Sequence, residues 1–116
     1  MEEHTTSWNI QSDIDMKRLR RSSPEMHDLM RDMRDSIREI DIALTRCNIG
    51  DGMRQISKSV DLVELVREDL INPGSDLMRP ENRDIAAAIR AEATASRQYI
   101  EFGGERFHGR CRCDRR

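Results

Sequence analysis

The sequence predicts an all-α protein: a small helical bundle built on a long antiparallel helical hairpin, with a third, alanine-rich helix and a flexible basic C-terminal tail. Three observations carry that expectation. Apolar residues recur from Met26 to Cys47 at spacings of 4, 3, 4, 3, 4 and 3, which is helical periodicity. A second apolar series follows after a short glycine-bearing break. Strand-like alternation never lasts more than a few residues.

In chain order, residues 1–22 form a polar and basic segment, with a short helix expected to carry Ile10, Ile14 and Leu19, capped by Ser12 or Asp13. The first long helix starts at "SSPEMHDLM". Ser23 can cap it, Pro24 suits the first helical position, and Glu25 favours the positive end of the helix dipole. Its apolar positions form a heptad seam, with Met30, Ile37 and Leu44 at a and Met26, Met33, Ile40 and Cys47 at d. Twenty-four residues make a rod of roughly 36 Å. The other faces are mostly Asp, Glu and Arg, with Arg31 and Asp35 at i,i+4 spacing.

"CNIGDGM" interrupts the rod. Gly50 is expected in the left-handed position and Asp51 as the next cap. The second helix then carries Met53, Ile56, Val60, Val63, Val66 and Leu70, widened by Leu62, until Asn72-Pro73-Gly74 stops it. So short a connection favours an antiparallel hairpin. The third helix starts near "RPENRD", with Pro80 early. Its narrow face is Ile85, Ile89, Ala93, Ser96 and Ile100, and Gly103-Gly104 is its expected end. The organisation is therefore a segment 1–22, a bundle domain 23–104 and a Cys/His-bearing basic tail 105–116.

Composition bounds the function. The chain has 116 residues, enough for one domain, with 36% charged and 3% aromatic residues. So few large apolar residues imply a thin core that gains stability by association. Net charge is only −2, but the body is acidic and the last twelve residues are basic. No apolar stretch approaches the roughly 18 residues of a membrane span, and the polar, acidic start lacks the apolar core of a signal peptide. Three cysteines make no disulfide framework. An intracellular, cytoplasmic protein without membrane contact is expected.

The tail "RFHGRCRCDRR" concentrates chemistry. His108, Cys111 and Cys113 are three soft zinc ligands within six residues, but structural zinc takes four and no second pair stands elsewhere. The tail is therefore expected to bind no metal. Arg106, Arg110, Arg112, Arg115 and Arg116 suit phosphate, and Phe107 could stack on a base. "KRLRR" adds Lys17, Arg18, Arg20 and Arg21. Ser22 and Ser23 after two arginines resemble a kinase target, although an N-cap is the simpler role for Ser23. Asp28, Asp32 and Asp35 share one helix side and could hold magnesium, but interleaved arginines favour a salt-paired, solvated face. Met26, Met30 and Met33 are equally consistent with an adaptable partner groove and with ordinary core.

No glycine-rich phosphate loop, G-x-S-x-G or H-E-x-x-H occurs, and no catalysis or cofactor is expected. The function expected is that of a non-enzymatic interaction protein, an adaptor or inhibitor. It would form a homo-oligomer or bind a protein partner through the seam from Met26 to Cys47. Short, charged, aromatic-poor chains of this style are common among accessory factors of viruses and mobile elements. The alternative is a nucleic-acid-binding regulator that uses "KRLRR" and the tail against phosphate.

Overall fold

A computed structural model describes residues 14–109, and of His108 the backbone alone. The first helix, α1 (Met16–Ser22), is capped by the Asp15 carboxylate, which accepts the Arg18 N–H at 3.1 Å. The cap is thus Asp15 instead of Ser12 or Asp13, because Ile14 is already drawn against the core and Leu19 is buried in it. Ile10 lies outside the described residues. Ser23, in extended conformation, breaks the chain and caps α2 (Pro24–Arg46), its hydroxyl accepting the Met26 N–H at 3.2 Å.

Met26, Met30, Met33, Ile37, Ile40 and Leu44 are all buried within this one chain. That corrects the expected role of the seam. Its residues are covered by the protein's own helices, so the seam is core and not a surface held out to a partner. Burying each large side chain contributes about 1.5–3 kcal/mol, which explains why the fold does not leave the stripe open. Cys47 packs against the same core, but only in part. It is the left-handed residue that ends α2 (φ 51, ψ 39) and is only half-buried.

The left-handed turn was expected at Gly50 and the cap at Asp51. Instead the connection is Cys47-Asn48, and the Asn48 side chain accepts the Asp51 N–H at 3.1 Å. Helix α3 (Ile49–Ile71) therefore includes both glycines of the expected break. Gly52 is there for packing: a Cβ on it would overlap the Phe107 ring. Met53, expected on the buried face, is exposed, and Gly52 sits inward in its place.

After α3, two 3₁₀ turns (Asp76–Met78 and Pro80–Asn82) insert Leu77 into the core, and the Asn82 amide donates to the Asp76 carbonyl at 2.9 Å. Pro80 opens the second turn, and the last helix, α4, spans Arg83–Gly109. Ile85, Ile89, Ala93, Ser96 and Ile100 are buried, as their spacing predicts. The helix does not end at Gly103-Gly104. Gly103 lets α4 approach α2, since a Cβ there would lie 3.1 Å from Ile40 Cγ2, and Phe107, 1% exposed, extends the apolar stripe by another turn. The bundle therefore reaches residue 109, and the tail that begins beyond it lies outside the described residues.

Helices α2 and α3 form the antiparallel hairpin, and α4 packs on both. Two side-chain pairs, Arg34 with Glu92 and Asp41 with Tyr99, each join α2 to α4 at a separation of 58 residues, so these helices run parallel in one fixed register. Arg97 with Glu64 and Phe107 with Gly52 set α4 antiparallel to α3. The result is a three-helix bundle with α1 laid across the starts of α2 and α4. No strand occurs among the described residues.

Glycine substitutions separate the packing role from the conformational one. Gly→Ala inside a helix ordinarily stabilises by up to about 1 kcal/mol. Gly50→Ala, with open space around it, should be neutral or follow that rule. Gly52→Ala should reverse the sign and destabilise by about 1–3 kcal/mol through overpacking. Urea unfolding of the two variants beside the parent checks both.

Candidate functional surface

The α2–α4 interface contains the most deeply buried charge of the described residues. Glu92 lies on the apolar stripe of α4 with its side chain 1% exposed, and Arg34 reaches it from α2. The contact is a two-pronged one, Nε to Oε2 at 2.7 Å and Nη2 to Oε1 at 2.8 Å. Seven residues further along both helices, the buried Tyr99 hydroxyl donates to the Asp41 carboxylate at 2.9 Å. Burial first, and then the Asp41 carboxylate, push the Tyr99 phenol well above its ordinary range. Across the hairpin, the Ser36 hydroxyl donates to the Gln55 carbonyl at 3.2 Å and lies 2.6 Å from Ser59 Oγ. These groups satisfy one another and fix the helices.

The predicted basic residues divide between the two ends of the bundle. Arg18 is not available to phosphate: it donates to Asp84 through both terminal nitrogens (3.0 and 3.1 Å) and to the Glu81 carbonyl at 2.8 Å. That bonding holds the Asp84 carboxyl below the usual carboxylate range. Lys17, Arg20 and Arg21 remain exposed on α1. Arg106 stands at the far end of α4 from Asp84, about 33 Å away at 1.5 Å per residue. The fold thus does not merge the clusters into one patch. Arg110, Arg112, Arg115, Arg116, Cys111 and Cys113 lie outside the described residues, as does the His108 side chain.

Phe107 cannot stack on a base, since its ring is buried against Gly52. The exposed aromatic is Phe102, with the Arg106 guanidinium 5.4 Å above its ring and Tyr99 5.8 Å away. The i,i+4 spacing of Phe102 and Arg106 was the signal for it. Met26, Met30 and Met33 serve as core, so no methionine groove is open. The aspartates of α2 are ion-paired with neighbours: Asp28 with His27 (3.0 Å) and Arg31 (3.6 Å), Asp32 with Arg31 (3.3 Å), Asp35 with Arg38 (3.0 Å). Hydrogen bonding to His27 is the main cause holding the Asp28 carboxyl low. Ser23 is buried as a cap, and Ser22 is half-buried with its hydroxyl 3.5 Å from Asn82.

Among the described residues the large apolar side chains left exposed are Ile42, Met53, Leu65, Ile71, Met78 and Phe102. Ile71 is 75% exposed, Met78 49% and Leu65 48%, and all three belong to the last turns of α3 or the segment just after it. At the opposite end, Arg46, Cys47, Asn48, Ile49 and Gly50 line an open depression over the hairpin turn. Among the described residues no group of three or more His, Cys, Asp or Glu converges on a metal site, and no helix is long and apolar enough to cross a membrane. No protein family, curated protein or solved structure matches the chain.

Two measurements probe the α2–α4 clamp. Glu92→Ala removes the bidentate carboxylate partner of a partly buried guanidinium and should cost about 3–5 kcal/mol, whereas the Arg34→Met/Glu92→Leu pair should recover most of it. Chemical denaturation of the single and double variants reads both. The raised Tyr99 phenol binds its proton more tightly folded than unfolded. Its stabilising contribution is therefore complete below about pH 10 and is lost as pH climbs above that value. In an alkaline titration, phenolate absorbance from the single tyrosine should rise only together with loss of helical circular dichroism.

Proposed function

We propose that the chain is a non-enzymatic helical interaction protein, an adaptor or inhibitor in kind, which works by self-association and by occupying a protein surface. The observation that carries this reading is the exposed apolar end formed by Leu65, Ile71 and Met78. Of the six large apolar side chains left exposed, these three fall towards one end of the bundle, and a covering partner there would remove them from water. The same end carries exposed Lys17, Arg20 and Arg21 on α1. These cations favour an acidic partner surface, and the carboxylates exposed on α2 and α3 of a second copy supply one. The expected partner is therefore another copy of this chain, met end against body and not seam against seam. An intracellular, cytoplasmic setting belongs to the same proposal.

Sedimentation equilibrium over a range of protein and salt concentrations tests it. The parent should associate in a concentration-dependent way that weakens as salt rises. Ile71→Asp should weaken association by about 1–2 kcal/mol or more without changing helix content. A parent that stays monomeric at every concentration, or an Ile71→Asp chain that associates like the parent, would overturn the reading.

A second reading, nucleic-acid-binding regulation, is favoured by the exposed Lys17, Arg20 and Arg21 and by the Arg106–Phe102 stack. It requires RNA or DNA binding that falls steeply with salt and drops when residues 110–116 are removed.

A further inference from the structure

Helix α3 turns two different sides outward, and they carry opposite chemistry. The Ser36 hydroxyl meets the Gln55 side chain at 3.3 Å and Ser59 Oγ at 2.6 Å, which fixes the flank of α3 that faces α2. One heptad back along α2, Leu29 takes the position of Ser36, and the antiparallel pairing sets it level with residues 62–66 of α3. Leu62 stands across from it on the same joint, and Leu65 follows one turn further along that edge. Leu29 and Leu62 are half-buried and packed on the core, whereas Leu65 projects, 48% exposed. The three leucines thus make an apolar strip along the α2–α3 joint. Carboxylates border it: Asp61 and Asp69 are the i−4 and i+4 neighbours of Leu65, and Glu25 precedes Leu29 by one turn. Lys58 stands at the far end of the strip, beside Leu62.

The other side of α3 holds Ile71, 75% exposed. Six residues turn a helix through about 600°, so Ile71 points about 120° away from Leu65. Its i−4 neighbour is the exposed Arg67, and Lys17, Arg20 and Arg21 lie at the same end of the bundle. An apolar residue beside cations on one side therefore matches an apolar strip beside carboxylates on the other. Because the two surfaces differ and point apart, a contact between them is not self-complementary.

We propose, resting on the self-association read above, that the Leu29–Leu62–Leu65 strip is its receiving face, filled by the Ile71 side of a second copy. A self-complementary contact closes at a dimer. A contact between two unlike surfaces leaves one of each free on the outermost copies, so assembly runs on to a larger ring or an open chain. Leu65 and Ile71, exposed on the same helix, then serve opposite halves of one interface.

The test is complementation between two variants of the full chain, Ile71→Asp and Leu65→Asp, followed by size-exclusion chromatography with light scattering at low salt. Both positions are exposed, and helical circular dichroism should match the parent; Leu65→Ser, which adds no charge, takes the place of Leu65→Asp if that chain loses helix. The parent should pass beyond the dimer mass as its concentration rises. Each variant alone should associate about 10-fold or more weakly. An equimolar mixture keeps one intact pair of surfaces, Ile71 of one variant and Leu65 of the other, and should form a 1:1 dimer that grows no further. A parent that stops at the dimer, a mixture no heavier than its separate variants, or a Leu65→Asp chain that associates like the parent overturns the receiving face. If Ile71→Asp alone is impaired, self-association itself still stands; a parent that is monomeric throughout overturns both.

Discussion

The apolar stripe of α2 has to be covered on two flanks at once, and the rest of the structure follows from how that is done. On the α3 flank the contacts are small: Ser36, Ala43, Gly52 and Ser59 are all buried. On the α4 flank, Gly103 gives way to Ile40 and Leu44. Small residues permit close axes, but three methionines in a row make a soft stripe that accepts more than one arrangement. The polar pairs remove that freedom. Bidentate Arg34–Glu92 and the Tyr99–Asp41 bond share one offset, and a slip of one residue would break both and leave charge buried. That register also brings Phe107 to Gly52.

Much of this was legible in the sequence and some was not, for reasons particular residues make plain. The seam period, the Ser23-Pro24 start and the face of α4 through Ile100 are local patterns, and local patterns transmit reliably. Glycine misled twice. At Gly50 and at Gly103-Gly104 its conformational freedom suggested turns, whereas Gly52 and Gly103 are used for their missing Cβ, which only a tertiary neighbour reveals. A correcting signal was present: the step from Ile100 to Gly103 to Phe107 continues the helical spacing past the double glycine. Glu92 was a similar clue, a lone carboxylate at a core position of α4, whose partner on α2 could not be named without the fold.

Periodicity also could not say whether the seam met a partner or the chain itself. A heptad stripe is equally good at either task, and the choice depends on whether the remaining helices can cover it. Here they do, and what is left outward at the ends is Leu65, Ile71 and Met78 beside the α1 cations at one and the Cys47 turn at the other. Between them the α2 aspartates form a salt-paired, solvated flank.

The central claim is that the seam is internal, and isotope-filtered NMR tests it most directly. A sample mixing labelled and unlabelled chains separates contacts within a chain from contacts between chains. Methyl groups of Met30, Met33 and Ile37 should show nuclear Overhauser effects to Val63, Val66 and Ile89 only within one chain, and Gly52 α-protons should sense the Phe107 ring in the same way. Intermolecular effects among those seam methyls would contradict the account and restore the stripe as the association surface.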